Sequence, residues 1–262
     1  MNNFIKVLSL LLIVIFIIKF KDIYYYTEVT LSSFDNVFVD INNKVFKKKQ
    51  NILILSTDDR VDLEYLTYHK RSLTDYSKKH GYTFLFEKPC TNLPVYFCKF
   101  QRILNLMNSS NFDYYIWIDS DTIVNKKFVD YPLENMLETV GLDTDLITGN
   151  FSSIPGILKF LIGSFYVFKN NIQTKKLLQR CIDYIDWSKW ENLKEGKCNY
   201  GGYCYEEAAL FYSIKNANKN DKIKHRRLLG NFISNNPWCA PDYFIMHILG
   251  KKDINKCYKE NS

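Results

Sequence analysis

The most informative segment of the sequence runs from Tyr114 to Val124 and reads YYIWIDSDTIV. A run of residues with high strand propensity is followed directly by two carboxylates, Asp119 and Asp121, with one serine between them. The apolar run predicts a buried strand, and residues two apart on an extended backbone point to the same side. We therefore expect both carboxylates to lie together at the carboxyl end of this strand, where open α/β sheets bind their ligands.

Two neighbouring carboxylates repel each other and are costly to bury unless a cation lies between them. The simplest role for Asp119 and Asp121 is therefore to bind a divalent metal ion, which would in turn bind an anionic ligand. A second Asp-X-Asp, residues 143–145, follows Gly141 rather than an apolar run, and this context predicts a turn or a helix cap.

The sequence around this strand predicts an alternation of strands and helices. Residues 51–57 have the pattern of a buried strand, 65–80 that of a helix ending at Gly81, and 82–86 that of a second strand. Further helices are expected over 97–107, 133–140, 174–187 and 205–214, and further strands over 145–149, 163–168 and from Tyr243 onward. This order predicts an α/β fold with a mostly parallel sheet.

The composition suits one globular domain with an N-terminal appendage. Hydrophobic residues make up 47% of the 262 residues, which is enough for a sizeable core. The net charge of +7 comes from scattered lysines rather than from a basic stripe. Because no nucleic-acid-reading motif accompanies this charge, we expect no nucleic-acid partner.

Residues 1–21 have the features of a membrane-spanning signal anchor. The apolar run from Phe4 to Phe20 is about the shortest that can span a bilayer, lysines flank it, and no small-x-small cleavage pattern follows. We therefore divide the chain into an anchor (1–21), a stem (22–50) and a globular domain (51–262). The prediction is a single-pass type II protein of Golgi or ER membranes, or of host membranes if the chain is viral; a cleaved signal peptide is the alternative.

Seven cysteines follow the predicted anchor. In a lumenal domain they could form up to three disulfides and leave one thiol. No CxxC pair is present, so a zinc site is not expected. Glycosylation sequons at Asn108 and Asn150 agree with a lumenal, glycosylated domain.

Six short motifs occur along the chain in a recognisable order. They are residues 76–82 (YSKKHGY), Lys99, 117–121 (WIDSD), 163–165 (GSF), 206–210 (EEAAL) and 247–250 (HILG). This order resembles the nucleotide-sugar glycosyltransferases of the GT-A fold, most of all glycosyltransferase family 34, which includes galactosyl-, mannosyl- and xylosyltransferases. The resemblance covers roughly residues 51–255. It implies a GT-A type, Rossmann-like mixed sheet flanked by helices, behind an N-terminal transmembrane helix.

The resemblance also implies a metal site. Asp119, Asp121 and His247 correspond to the residues that bind the metal in the family. Hard oxygen ligands with one imidazole suit Mn²⁺, with Mg²⁺ as the alternative. The ion would neutralise the diphosphate of the leaving nucleotide as a Lewis acid.

Seven residues are expected to contact the sugar donor on the same grounds. Lys99 and Lys252 would contact the donor phosphates. Ser56 and Thr57 would contact the nucleotide, and Gly163 and Ser164 would contact the sugar. These residues are Ser56, Thr57, Lys99, Asp119, Gly163, Ser164 and Lys252. Leu161-Ile162 stand where the family has Asn-Thr, which leaves the identity of the donor sugar open.

Glu206 and Glu207 are the candidate catalytic residues, because they stand where the family has Asp-Gln. An acidic side chain facing the anomeric carbon would stabilise positive charge in an oxocarbenium-like transition state. Adjacent helical positions differ by about 100° in direction, so which of the two faces the sugar stays open.

The expected function is a metal-dependent glycosyltransferase that moves a hexose or pentose from a nucleotide diphosphate donor to a glycan or protein acceptor. The resemblance implies retention of the anomeric configuration. One alternative is a catalytically degenerate relative that binds nucleotides or glycans. Another is a haloacid-dehalogenase-like phosphatase, because residues 119–124 approximate its nucleophile motif, although Ile123 departs from that motif and two predicted β-units precede the strand.

Overall fold

The computed structural model describes residues 35–42, 48–60, 63–151, 160–185, 205–236, 239, 242–248 and 254–262. The predicted signal anchor and Lys252 lie outside these residues. Among the residues that are described, no helix is both long enough and apolar enough to cross a bilayer.

The described residues form two sheets and six α-helices. The strands are β1 (Asp35–Val39), β2 (Ile52–Thr57), β3 (Thr83–Glu87), β4 (Tyr114–Ile118), β5 (Thr122–Val124), β6 (Leu146–Phe151), β7 (Phe160–Lys169), β8 (His225–Gly230), β9 (Ile233–Asn236) and β10 (Ile245–Ile248). The helices are α1 (Glu64–His80), α2 (Cys98–Ser109), α3 (Leu133–Val140), α4 (Ile172–Asp183), α5 (Glu206–Lys215) and α6 (Ile254–Asn261).

The main sheet has seven strands in the order β1-β8-β6-β7-β4-β2-β3. Strand β7 runs antiparallel to both of its neighbours, and every other pair in this sheet is parallel. The mixed α/β sheet predicted from the sequence is therefore confirmed. Helix α1 ends at Gly81 as expected, with a left-handed backbone (φ 68°) that glycine adopts without strain.

The sequence pattern did not reveal β1. Residues 22–50 were expected to form a stem, yet Asp35–Val39 within that range pairs in parallel with β8 at the edge of the main sheet. An edge strand is covered on fewer sides, so its residues need not be continuously apolar, and four of the five in β1 are exposed or half-buried. Mixed polarity was therefore a poor guide to this segment.

Strand β4 is the centre of the core. All five of its residues are buried, and alternate side chains enter two different hydrophobic clusters. Tyr114, Ile116 and Ile118 belong to the first cluster, which includes residues of α1 and α3. Tyr115 and Trp117 belong to the second, which includes residues of α2, α4 and α5. Burial on both faces explains why this strand reads as a continuous apolar run.

A second, three-stranded sheet has the order β5-β10-β9 and brings the C-terminal part of the chain beside the Asp119–Asp121 motif. Strand β5 begins directly after Asp121 and pairs antiparallel with β10, so that His247 lies opposite Thr122. Residues far apart in sequence thus become neighbours at the carboxyl end of β4.

Two disulfides join described cysteines, Cys90 to Cys98 and Cys239 to Cys257. The thiol of Cys181 is free and buried, and burial raises its pKa to about 12. The two remaining cysteines, Cys198 and Cys204, lie outside the described residues, so a third disulfide stays a prediction.

Helix α1 supports β5 through a buried histidine. Nδ1 of His69 lies 2.7 Å from the carbonyl oxygen of Thr122, so this nitrogen carries the donated proton. Burial lowers the pKa of His69 from 6.5 to about 4, and this outweighs the bond to Thr122. Within the described residues Nε2 has no hydrogen-bond partner, so a second proton would be unsatisfied there.

We predict that His69→Gln makes stability less sensitive to acid. Because its pKa is lower in the folded chain, stability from neutral His69 is complete above pH 6.5 and is lost as the pH falls towards 4. Between pH 7 and pH 5, the titration of His69 should lower the free energy of unfolding of the wild type by about 2 kcal/mol. The variant keeps an N–H donor but has no titrating group at this position, so it should not show this loss. Urea unfolding of both proteins at both pH values measures the difference, and equal losses would contradict the prediction.

Candidate active site

A cavity of about 420 Å³ lies at the carboxyl ends of β2 and β4. Its walls combine carboxylates, two cationic side chains and several apolar groups. The lining residues are Thr57, Asp58, Asp59, Arg60, Pro89, Val95, Tyr96, Lys99, Trp117, Asp119, Ser120, Asp121 and Glu206. Both carboxylates of the central motif therefore reach one cavity, at the edge of the sheet that the sequence predicted.

Asp119 is held by three contacts at the end of β4. Its backbone N–H donates to the carbonyl oxygen of Ser164, at 3.0 Å. Its Oδ1 accepts a hydrogen bond of 2.5 Å from Nε1 of Trp117 and lies 3.4 Å from Nζ of Lys99. The carboxylate therefore has a fixed direction in the cavity wall.

Lys99 joins four parts of the chain through one buried ammonium group. Besides Asp119, its Nζ donates to Oε1 of Glu206 at 2.8 Å and to the carbonyl oxygen of Gly163 at 2.9 Å. Burial by itself would lower the pKa of Lys99, but the carboxylates of Asp119 and Glu206 raise it above its ordinary value. Lys99 is therefore charged, and all three of these contacts are with protein oxygens, whereas the sequence prediction had directed it to the donor phosphates.

The two glutamates at the start of α5 have different surroundings. Glu206 lines the cavity and pairs with Lys99. Oε1 of Glu207 instead accepts a 2.8 Å hydrogen bond from the backbone N–H of Gly163. Burial, together with the charge of Glu206, raises the pKa of Glu207 to about 8, so Glu207 holds a proton at neutral pH. The geometry thus separates two residues that the sequence could not rank.

Gly163 is required by the two glutamates. A Cβ atom at this position would lie 2.7 Å from Oε1 of Glu206 and 3.1 Å from Oε1 of Glu207. The sequence argument expected a glycine that lets backbone approach a ligand. In the structure the close approach is to the carboxyl groups of α5, which any larger residue would displace from Lys99 or from the Gly163 N–H.

Of the other predicted donor residues, one lies at the cavity surface and two are buried. Thr57 lines the cavity, whereas Ser56 is fully buried and donates to the carbonyl oxygen of Ile118, at 2.5 Å. Ser164 is also buried, and its Oγ has no hydrogen-bond partner among the described residues. Ser56 therefore joins β2 to β4, and of these three residues Thr57 is the one at the cavity surface.

Asp121 and His247 face each other across the β5–β10 pairing. Oδ1 of Asp121 lies 3.3 Å from Nε2 of His247. Burial by itself would lower the pKa of His247, and the carboxylate of Asp121 raises it above its ordinary value. The sequence resemblance had linked these two residues, and the structure brings their side chains together.

The donor set is compatible with a divalent metal ion, although three ligands are not already gathered. Across the described ranges, no cluster of three or more His, Cys, Asp or Glu side chains is arranged to hold a metal. Asp121 and His247 form a pair, while Asp119 is bound to Trp117 and Lys99. Ions such as Mg²⁺ are often bound by one or two carboxylates together with the phosphates of a substrate, and Asp121, which lines the cavity, could supply such a carboxylate.

Several cavity residues were not predicted as site residues, among them Asp58, Arg60 and Ser120. Asp58 is buried and accepts hydrogen bonds from Oγ of Ser120 at 2.5 Å and from Nη2 and Nε of Arg60 at 2.6 and 2.9 Å. Burial by itself would raise the pKa of Asp58, but the bonds from Arg60 and Ser120 lower it. The signal was present, because Asp58 and Arg60 directly follow Thr57 at the end of a buried strand.

No protein-family model and no curated protein sequence matches this chain. Its structure is similar to that of a glycosyltransferase involved in the glycosylation of the major capsid of PBCV-1. The TM-score is 0.58 at 15% sequence identity, over 80% of this chain and 99% of that one. The chain has a glycosyltransferase fold.

Weaker similarity extends to the glycosyltransferase GlyE of Streptococcus pneumoniae TIGR4, with TM-scores of 0.49 and, for the apo form, 0.48. In both cases the identity is 12%, and the match covers 81% of this chain and 60% of GlyE. At these identities the comparisons concern the fold alone, and membership of family 34 stays a prediction.

We predict that Lys99→Met destabilises the protein strongly. The change removes the ammonium group that Asp119, Glu206 and the Gly163 carbonyl share, and should lower the free energy of unfolding by roughly 3 kcal/mol. Lys176→Met is the matched control, since Lys176 pairs with Asp221 at the surface, where loss of the charge should change stability little. Equal effects of the two changes in urea unfolding would contradict the buried network.

Proposed function

We propose that this protein is a metal-dependent glycosyltransferase that moves a hexose or pentose from a nucleotide diphosphate donor to a glycan or protein acceptor. The observation that carries the proposal is the cavity lined by Asp119, Asp121, Lys99 and Glu206, in which Asp121 is paired with His247 and Lys99 with the other two carboxylates. It lies at the carboxyl ends of parallel strands, in a fold shared with a known glycosyltransferase.

Asp121 and His247 would hold Mn²⁺, or Mg²⁺, together with oxygens of the donor diphosphate, and Asp119 stands close by in the same wall. When bound, the ion would supply Lewis-acid stabilisation of the negative charge that builds up on the leaving nucleoside diphosphate. An imidazole with carboxylate oxygens suits Mn²⁺ better than Ca²⁺.

Arg60 is the second group in the cavity suited to an anionic donor. Its guanidinium is fixed by two bonds to Asp58, while its side chain stays 55% exposed, so it can contact a ligand without first losing conformational freedom. Lys99 has a different part in this proposal. It offsets the negative charge of Asp119 and Glu206 and thereby fixes both carboxylates in the wall.

Glu206 is the proposed catalytic carboxylate. It lines the cavity, so its charge would face the sugar and stabilise an oxocarbenium-like transition state. Glu207, which carries a proton at neutral pH, would act indirectly through its bond to Gly163. The motif resemblance to family 34 supports retention of configuration, which NMR of the freshly formed product anomer would test.

We predict that Asp121→Asn abolishes donor cleavage. The change keeps the size of the side chain but removes a charge that the metal requires, so Mn²⁺-dependent hydrolysis of a panel of nucleotide sugars should fall at least about 100-fold. Asp143→Asn is the control, because Asp143 belongs to the second Asp-X-Asp, at an exposed turn where it pairs with Lys224. This variant should keep wild-type activity.

The same assay separates the alternatives. Full activity of Asp121→Asn would refute the assignment of this residue. Binding of a nucleoside diphosphate with Mn²⁺, without turnover of any donor by the wild type, would favour a degenerate relative that only binds.

A further inference from the structure

The C-terminal helix α6 contributes one side chain to the framework of the site. Tyr258 is fully buried, and its hydroxyl donates a hydrogen bond to the backbone carbonyl oxygen of Asp121. The same hydroxyl lies 3.3 Å from the carbonyl oxygen of Met246, the residue before His247. One phenol oxygen thus connects the backbones that carry both members of the Asp121–His247 pair.

This connection lies where the second sheet is weakest. Strands β5 and β10 pair over three residue pairs only, from Thr122 opposite His247 to Val124 opposite Ile245. Asp121 directly precedes the first of these pairs. The hydrogen bond from the Tyr258 hydroxyl to its carbonyl oxygen therefore adds a contact at the end of this short pairing.

Helix α6 is itself fixed against the rest of the domain, which gives the hydroxyl a defined position. The disulfide between Cys239 and Cys257 ties the helix to the segment that precedes β10. Its buried residues pack in one cluster with Ile123 of β5 and Met246 of β10. At the helix end, Oγ of Ser262 accepts a 2.6 Å hydrogen bond from Arg71 of α1.

We propose that Tyr258 is a positioning residue, which acts through its hydroxyl to hold Asp121 and His247 at the distance that a divalent metal ion requires. This inference rests on the proposed function, because the ion is the one that the Asp121–His247 pair would bind. Tyr258 is not among the residues that line the cavity. Groups that orient metal ligands from outside the coordination sphere typically change metal affinity by roughly 10–100-fold when they are removed.

The test is Tyr258→Phe in the full-length protein, since this change removes one oxygen and keeps the packing of the ring. Tyr68→Phe is the matched control. The Tyr68 ring packs against the same cluster, but its hydroxyl donates to Glu64 on the exposed face of α1. Mn²⁺ binding is measured by EPR with a nucleoside diphosphate present and no sugar donor, and hydrogen exchange is followed over residues 121–124 and 245–248.

We expect Tyr258→Phe to weaken Mn²⁺ binding about tenfold and to speed exchange at the β5–β10 pairing, while Tyr68→Phe matches the wild type in both measurements. In donor hydrolysis, Tyr258→Phe should need more Mn²⁺ for half-maximal activity and should reach nearly the wild-type rate when Mn²⁺ is saturating. A general loss of structure would lower the maximal rate instead.

Results that differ from these expectations would overturn either the role proposed for Tyr258 or the proposed function. Wild-type Mn²⁺ binding and exchange in Tyr258→Phe would overturn the proposal, as would a wild type that binds no Mn²⁺. A wild type that binds Mn²⁺ but cleaves no nucleotide sugar would refute glycosyl transfer. The role of Tyr258 would then be judged from Mn²⁺ binding and hydrogen exchange alone. If Tyr258→Phe does not fold, a variant with Cys239 and Cys257 both changed to Ala loosens α6 with Tyr258 intact, and unchanged Mn²⁺ binding in it would overturn the proposal.

Discussion

A buried ammonium group, that of Lys99, governs the arrangement of this site. Asp119, Glu206 and Glu207 approach one another from the end of β4 and the start of α5, and their mutual repulsion in partly buried surroundings would otherwise drive them apart. Lys99 offsets this charge with two ion pairs, and its third bond, to the Gly163 carbonyl, fixes β7 beside them. Glu207 resolves the remaining repulsion differently, since its pKa of about 8 leaves it protonated.

The absence of a side chain at Gly163 is part of the same arrangement, because it leaves room for the carboxyl groups that Lys99 brings together. The carboxyl groups of Glu206 and Glu207 occupy the space that a side chain at 163 would take. The site therefore combines a glycine, a lysine and two acidic residues from three distant parts of the sequence: Gly163, Lys99, and Glu206 with Glu207. The space at Gly163 and the charge of Lys99 are needed because the two acidic residues are present. Such mutual dependence is expected where charge is gathered for binding rather than for stability.

Most of the fold could be predicted from local patterns. Helix α3 and the buried strands β2 and β4 were found because burial on their faces imposes an apolar pattern that a short window detects. Strands β1, β5, β8 and β9 and helix α6 were not found. Among them, β1 lies at a sheet edge and β5 has three residues, so their existence depends on partners distant in sequence.

From the sequence it follows that two carboxylates end a buried strand and that polar residues follow the neighbouring strand β2, because strand propensity and residue order are local properties. The tertiary structure alone decided that Asp121 faces His247, that Lys99 bonds to protein oxygens, that Glu206 rather than Glu207 lines the cavity, and that Tyr258 reaches the Asp121 carbonyl. These are contacts between segments up to 137 residues apart. Their direction depends on strand pairing and on the competition of several groups for one charge, which no short stretch of sequence records.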